Sequence, residues 1–233
     1  MSINFYIGYD RREDIAYQIC KSSIITQSTV TVKTSPIIQD PLRKLGIYTR
    51  EPDAKSSTDF TFTRFLVPFL NNYQGWAIFS DCDFLFLSDV KKLMEYADER
   101  YAAMVVKHDY QPAETVKMDN KVQAQYPRKN WSSLILFNCA HPSNKVLTPE
   151  LINTATGLYL HRFQWLSDEE IGELPYQWNY LEDWYHTNDA RAVHFTAGGP
   201  WFRNYTNVQY AKEWHRMFEE TYNRKFTDSD FCD

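Results

Sequence analysis

Two aspartates flank one cysteine where a strongly apolar run ends, in Trp76-Ala77-Ile78-Phe79-Ser80-Asp81-Cys82-Asp83, and apolar residues resume at once with Phe84-Leu85-Phe86-Leu87. Side chains two apart on an extended segment point the same way, so both carboxylates can face one point in space. Ending a buried strand on two negative charges is costly unless something positive neutralises them. A hard divalent cation that shares its coordination with a phosphate meets that need. Two ordinary turn residues at a strand end are the competing reading, and for an isolated Asp-x-Asp the commoner one. The elements that position the motif have to decide between them.

The first half of the chain alternates strand and helix. Residues 3–9 read as a strand, and 12–25 as a helix whose apolar face carries Ile15, Ile24 and Ile25 near Cys20. Residues 29–33 read as a second strand, and 60–70 as a helix kinked at Pro68. A strand at 77–79, a helix over about 88–99 and a strand at 103–106 follow. In the second half, Leu134-Ile135-Leu136-Phe137 reads as a buried strand, Thr148 as an N-cap with Pro149 at the first helical position, and Ala192-Val193-His194-Phe195 as a short late strand. An amphipathic helix over 208–222 ends the pattern. Strands separated by helices predict an α/β fold with a mostly parallel sheet flanked by helices. In such sheets ligands bind beyond the carboxyl ends of the strands. Three polar segments fall there: Gly8-Tyr9-Asp10, Asp81-Cys82-Asp83 and Thr196-Ala197-Gly198-Gly199.

Bulk composition narrows the partners. The chain has 233 residues, 43% of them hydrophobic, which is enough for one large domain with a sizeable core. A net charge of −5 argues against a nucleic-acid partner. No basic-then-apolar leader opens the chain, and no apolar run approaches the ~18 residues of a membrane span. Four scattered cysteines, Cys20, Cys82, Cys139 and Cys232, form no Cys-x-x-Cys pair and fit a reducing, cytoplasmic setting. The glycan-acceptor triplets at Asn130 and Asn204 are then idle. Sixteen tyrosines and seven tryptophans suit a core and a cleft that stacks on flat ligands. A Walker loop, Gly-x-Gly-x-x-Gly, His-Glu-x-x-His and Gly-x-Ser-x-Gly are all missing.

Five blocks in order resemble glycosyltransferase family 8, which includes glycogenin and the bacterial lipopolysaccharide galactosyltransferases and has the GT-A (nucleotide-diphospho-sugar transferase) fold. Phe62-Thr63-Arg64-Phe65-Leu66-Val67-Pro68-Phe69-Leu70 followed by Trp76 to Asp83 is similar to the block around the family's Asp-x-Asp motif. Trp131-Ser132-Ser133-Leu134-Ile135-Leu136-Phe137-Asn138 resembles its Asn-Ser-Gly strand, and Leu174-Pro175-Tyr176-Gln177-Trp178-Asn179 its Leu-Pro…Trp-Asn segment. His194-Phe195-Thr196-Ala197-Gly198-Gly199-Pro200-Trp201 resembles its C-terminal His…Gly…Lys-Pro-Trp motif.

The resemblance implies one GT-A domain over 1–233, with a nucleotide-binding half (1–110), an acceptor and metal half (111–205) and a terminal helix and tail (206–233). It implies a hexosyltransferase of carbohydrate biosynthesis that uses a nucleotide-diphosphate sugar, UDP-linked, and acts with retention on a carbohydrate, lipid or protein acceptor. Asp81, Asp83 and His194 would hold Mn²⁺ or Mg²⁺, the imidazole favouring Mn²⁺. Such an ion stabilises the leaving diphosphate as a Lewis acid. Arg64 would approach the donor sugar or diphosphate, Tyr9 and Asp10 the base and ribose, and Cys82 and Ser132 would lie along the donor. The family's lysine before Pro-Trp is Gly199 here, so a small anion nest at Gly198 and Gly199, or Arg203, would replace it. Asn130 or Lys129 would share the sugar-hydroxyl contacts of Ser132. Gln164 would lie under the anomeric carbon, with Asp168 as its rival; a glutamine there favours a same-face mechanism over a double displacement. The polar stretch from His108 to Lys129 reads as a loop over the donor, an acceptor wall or a solvated excursion. Two other functions stay open: a sugar-nucleotide nucleotidyltransferase, and a non-catalytic nucleotide-sugar-binding module.

Overall fold

A computed structural model describes residues 2–51, 57–108 and 128–232. In chain order the elements are β1 (Ser2–Gly8), α1 (Asp14–Gln27), β2 (Thr31–Ile37), α2 (Gln39–Lys44), α3 (Val67–Leu70), β3 (Trp76–Ser80), β4 (Phe84–Phe86), α4 (Val90–Met94) and β5 (Ala103–Val105). They continue with β6 (Leu134–Asn138), α5 (Pro149–Thr154), α6 (Gly157–His161), β7 (Ile171–Glu173), β8 (Tyr180–Leu181), β9 (Ala192–His194) and α7 (Ala211–Tyr222). Six strands form one sheet in the order β2-β1-β3-β6-β5-β7, in which β6 alone runs against the others. Three form a second, β4-β9-β8. The α/β class and the mostly parallel sheet expected from the sequence are both present.

Residue patterns explain the layering. β1 alternates buried Ile3, Phe5 and Ile7 with the half-buried Asn4 and Tyr6. β6, covered on both faces, is buried throughout. α1 serves two cores: Tyr17, Cys20 and Ile24 pack against the large sheet, whereas Ala16 and Ile19 join Leu85, Val193, Phe195, Trp201, Trp214, Met217 and Phe218 in a smaller one. β4 is shared in the same way, Phe84 and Phe86 facing the main core and Leu85 the smaller. Asp81-Cys82-Asp83 is the link between the two sheets.

Several boundaries differ from the expectation. Ile25 is 51% exposed, because it lies about 100° around the helix from the buried Ile24. Residues 60–70 form a 3₁₀ turn (Thr63–Leu66) and then α3, which Pro68 opens instead of kinking. The expected helix over 88–99 shortens to α4, capped by Asp89. β2 runs on to Ile37, and β7 and β8 were too short to carry a period of their own. Thr148 accepts from Leu151 N–H at 3.3 Å as the expected N-cap. No helix among the described residues is long and apolar enough to cross a membrane.

Candidate metal and donor site

The chain pins both ends of the acidic link. Asp81 N–H donates to the Ser133 carbonyl at 2.9 Å as β3 ends, and Phe195 N–H donates to the Asp83 carbonyl at 3.0 Å as β4 begins. Phe84 pairs with His194 across the small sheet. Cys82 is 2% exposed and points into the core, so its two neighbours turn the other way. One ligand atom from each of Asp81, Asp83 and His194 lies within 4.8 Å of the others, with His194 Nε2 3.4 Å from Asp83 Oδ2. The His194 ring stacks on Phe84 at 4.5 Å, which fixes its plane.

Hydrogen bonds settle the tautomer of that histidine. Asn179 Nδ2 donates to the Asn130 carbonyl (3.0 Å) and to Ser133 Oγ (3.2 Å), so its Oδ1 is the atom facing His194 Nδ1 at 2.9 Å. His194 Nδ1 therefore carries a proton, and Nε2 is the atom presented to the Asp83 carboxylate. A proton on Nε2 or a metal ion between the two groups satisfies that contact.

The carboxylates are under-neutralised too. Asp81 Oδ1 and Asp83 Oδ1 are buried and have no hydrogen-bond partner among the described residues. Arg64, 5% exposed, brings Nη1 to 2.7 Å from Asp81 Oδ1, but its directed hydrogen bond goes to the Ser132 carbonyl at 2.9 Å. Burial pushes the Asp81 carboxyl above its ordinary range; Arg64 opposes the shift and Asp83 adds to it. One guanidinium for two carboxylates leaves a negative deficit that a divalent cation would cancel. The donor set, two carboxylate oxygens and one oriented imidazole, fits such an ion.

A cavity of about 570 Å³ opens beside Asp83, lined among others by Arg12, Glu13, Ser57, Thr196, Gly198 and Arg203. Glu13 accepts from Trp201 Nε1 at 3.2 Å, and burial with the nearby Asp83 and Asp10 charges lifts its carboxyl to about 8. Trp201 also explains Gly199: a Cβ there would lie 2.0 Å from its ring, so no side chain, lysine included, fits that position. The amides of this loop face inward. Glu182 accepts from Thr196 N–H (3.1 Å) and Ala197 N–H (3.4 Å), and Gly198 N–H goes to the Phe195 carbonyl at 3.2 Å.

The remaining expected residues fall into two groups. Ser132 is beside Arg64 through its carbonyl, with its Oγ 2.7 Å from His161 Nδ1. Asp10 is fully buried at the end of β1, where Arg12 Nη2 (2.6 Å), Arg12 N–H (3.0 Å) and Asp59 N–H (3.1 Å) engage its carboxylate; Tyr9 hydroxyl donates to Asp14 at 3.0 Å. Asp10 thereby shapes the rim that carries Arg12 and Glu13 into the cavity. Gln164 is exposed, held through its backbone N–H to Tyr159 at 3.0 Å, and Asp168, 81% exposed, pairs with Arg128. No described contact ties either to the triad. Most of the loop expected from His108 to Lys129, residues 109–127, lies outside the described residues. His108 itself is buried, with Nδ1 3.1 Å from Tyr185 hydroxyl.

Sequence reasoning gave no role to Glu13, Asn179 or Glu182, and named His108 only as the start of a polar loop. Asn179 stood inside a quoted block without a role, and a polar residue in an otherwise apolar run, as in Trp178-Asn179-Tyr180-Leu181-Glu182, was the available signal.

No family model matches the chain. A curated relative, Protein CDI of Arabidopsis thaliana, is 53% identical over 226 residues, covering 94% of this chain and 87% of its own length. Among solved structures, WbbM, a bifunctional glycosyltransferase, superposes with a TM-score of 0.65 at 14% identity over 97% of this chain; the chain spans about half, 52%, of WbbM. The galactosyltransferase LgtC, solved with donor and acceptor sugar analogues, gives a TM-score of 0.60 at 10% identity over 97% of this chain and 98% of its own. The two-sheet architecture is thus that of GT-A glycosyltransferases.

Proposed function

The chain belongs to the family of Protein CDI, and from that premise we propose that it is a metal-dependent glycosyltransferase that moves a sugar from a nucleotide-diphosphate donor, UDP-linked, to an acceptor with retention. The carrying observation is the triad: Asp81, Asp83 and His194 each bring a ligand atom within 4.8 Å of the others beside a 570 Å³ cavity, and Asp83 Oδ1 is buried without a hydrogen-bond partner among the described residues. The reading keeps the likeness to glycosyltransferase family 8, one domain, and a cytoplasmic setting, with which four free cysteines agree.

Asp81, Asp83 and His194 would hold Mn²⁺ or Mg²⁺, which when bound supplies Lewis-acid stabilisation to a leaving diphosphate. The protein's own groups do the rest. Asn179 keeps His194 in the ligating tautomer. Arg64 sits beneath the motif and limits the cost of the buried Asp81 charge. Arg203 is the cation we assign to the diphosphate in place of a side chain at 199; its Nη2 is braced on the Asp228 carbonyl at 3.0 Å and its guanidinium lies 4.6 Å from the Phe231 ring. With Gln164 and Asp168 untied to the triad, retention is assigned to a same-face route without a protein nucleophile.

The test is hydrolysis of a panel of UDP- and GDP-sugars with and without Mn²⁺. One donor turned over faster with Mn²⁺, and lost in Asp83→Ala, is the expected result. A non-catalytic binding module, favoured by Gly199 under Trp201, predicts nucleotide binding with no turnover of any donor. Pyrophosphate-dependent consumption of a nucleotide sugar would instead make it a nucleotidyltransferase.

A further inference from the structure

A second cavity, of about 560 Å³, lies at the other end of the large sheet, against the amino-terminal part of β1 and the start of β3. It shares no lining residue with the donor cavity. Ligands of α/β sheets ordinarily bind beyond the carboxyl ends of the strands, so this hollow stands apart from the site described above.

Its floor is set by two strands. Asn4 and Tyr6 of β1 are in register with Lys33 and Ser35 of β2, so the four share one face of the sheet. Its wall is the turn after α3, residues 71–75, in which Asn72, Tyr73 and Gly75 hold φ of 54°, 52° and 57°. A left-handed tyrosine is costly and persists only where its surroundings over-determine it. Asn71, 9% exposed, is the staple that does so. Its Oδ1 accepts from Asn4 Nδ2 at 2.8 Å and from the Tyr6 hydroxyl at 3.2 Å, and its Nδ2 donates to the Gln74 carbonyl at 2.6 Å. Floor and wall are thereby locked together.

Those bonds leave other groups on the lining unspent. Among the described residues, Asn4 Oδ1, Ser35 Oγ and the side-chain amides of Asn72 and Gln74 make no hydrogen bond, and the exposed Lys33 makes no ion pair. Lys33 is the one charged residue on the lining, and no acid accompanies it. Carboxamides and hydroxyls supply donors and acceptors side by side, as the hydroxyls of a sugar ring require. A lone ammonium among them adds a place for negative charge. A divalent cation would find neither carboxylate nor imidazole here, and a lipid chain would find no apolar groove. We propose that this cavity binds a saccharide bearing an oxyanion, a carboxylate or a phosphate, with Lys33 at the anion and Asn4, Ser35, Asn72 and Gln74 at the ring hydroxyls. It is a binding site separate from the transfer centre and does not depend on the glycosyltransferase reading.

The experiment titrates the full chain, ¹⁵N-labelled, metal-free and at low salt, with glucuronate, glucose 6-phosphate, glucose and inorganic phosphate, and follows the amide spectrum. At least one of the two acids is expected to saturate with shifts at residues 33–35 and 72–75, and glucose to bind there roughly 10-fold more weakly, the size of one charge-assisted hydrogen bond. A response to glucuronate alone assigns the anion as a carboxylate, and one to glucose 6-phosphate alone as a phosphate. Lys33→Met should bring the acid down to the affinity of glucose and Lys33→Arg should keep it, both at the wild-type melting temperature, because Lys33 makes no ion pair within the described fold. Gln74→Ala should weaken acid and glucose alike. No saturable binding of either acid, shifts confined to the donor cavity, equal affinity for glucose and the acids, or an affinity indifferent to Lys33→Met overturns the proposal. Inorganic phosphate bound as tightly as glucose 6-phosphate would reduce the site to an adventitious ion only and overturn it too.

Discussion

Asp10 and Asp83 occupy equivalent places, just past the carboxyl ends of parallel strands β1 and β3, and the structure treats them in opposite ways. Asp10 is fully buried, yet Arg12 and two backbone amides engage both of its oxygens. Asp83 keeps a buried oxygen without a hydrogen-bond partner among the described residues and lies 3.4 Å from His194 Nε2. Burial raises the Asp10 carboxyl, but the Arg12 hydrogen bonds and the amides outweigh it, so it ionises below the ordinary range. A satisfied carboxylate is architecture; one held without partners, against its own solvation, is kept for something that binds.

Breaking the Asp83 side should cost function and spare the fold. Asp83→Ala removes one ligand and one buried charge, so Mn²⁺-stimulated turnover is expected to fall on the order of 10³-fold, the several kcal/mol that such an ion supplies. The melting temperature without metal should hold or rise, because an uncompensated charge is gone. A parallel loss of melting temperature and activity would make Asp83 architectural like Asp10. Asn179→Ala acts one step removed: His194 loses the acceptor that fixes its tautomer, and Mn²⁺ affinity, read by calorimetry, should weaken about 10–100-fold. Unchanged affinity would mean that the ring's stack on Phe84 orients it unaided.

The contrast also marks what the sequence could tell. His194 ends a short, strongly patterned strand, and Asp81-Cys82-Asp83 links two others, β3 and β4, so the apolar runs on either side were enough to place the two acids at a strand end. Asp10 looked the same on paper. Its partners, Arg12 and the amide of Asp59, arrive through a 3₁₀ turn and a distant loop that leave no periodic trace. Gly199 read as a lost lysine; only the position of the Trp201 ring shows that no side chain fits there. Gln164 and Asp168 were placed by analogy with a motif whose spacing does not choose between them; both are exposed, and no described contact ties either to the triad. Strand order and the second sheet depended on β7 and β8, three and two residues long, where pairing partners and not propensity decide the conformation.

On the other side, Asp10→Ala should cost the fold. Two amides lose their acceptor, while Arg12, with a side chain 53% exposed, can return to water. A loss of about 1–3 kcal/mol in urea unfolding follows, at the low end if solvent reaches the amides. Activity per folded molecule should change less than in Asp83→Ala. The reverse order would turn Asp10 into a ligand-binding group and erase the contrast.

The last effect is a slope with pH. Glu13 sits on the turn that Asp10 caps, and burial, with Asp83 and Asp10 nearby, raises its carboxyl from 4.5 to about 8. Between those values the folded chain keeps a proton that the unfolded chain has released, so the native state binds more protons and stability falls as pH rises. The fall cannot exceed about 1.4 kcal/mol per pH unit for one such group. Asp10 contributes the opposite sign, through stability that is lost only as pH drops below its unfolded value of 3.8. Asp81 and Glu182, also raised, and His108 and His161, both lowered, titrate in the same window and cancel when wild type is compared with Glu13→Gln. The difference between the two in metal-free unfolding at pH 5, 6, 7 and 8 should therefore move steadily against the wild type as pH rises. Saturating Mn²⁺ should counter the decline most at pH 8, where deprotonated ligands bind it best. A difference that does not change with pH would mean that Glu13 gives up its proton as readily folded as unfolded, and that the acidic end of the cavity is solvated like any surface.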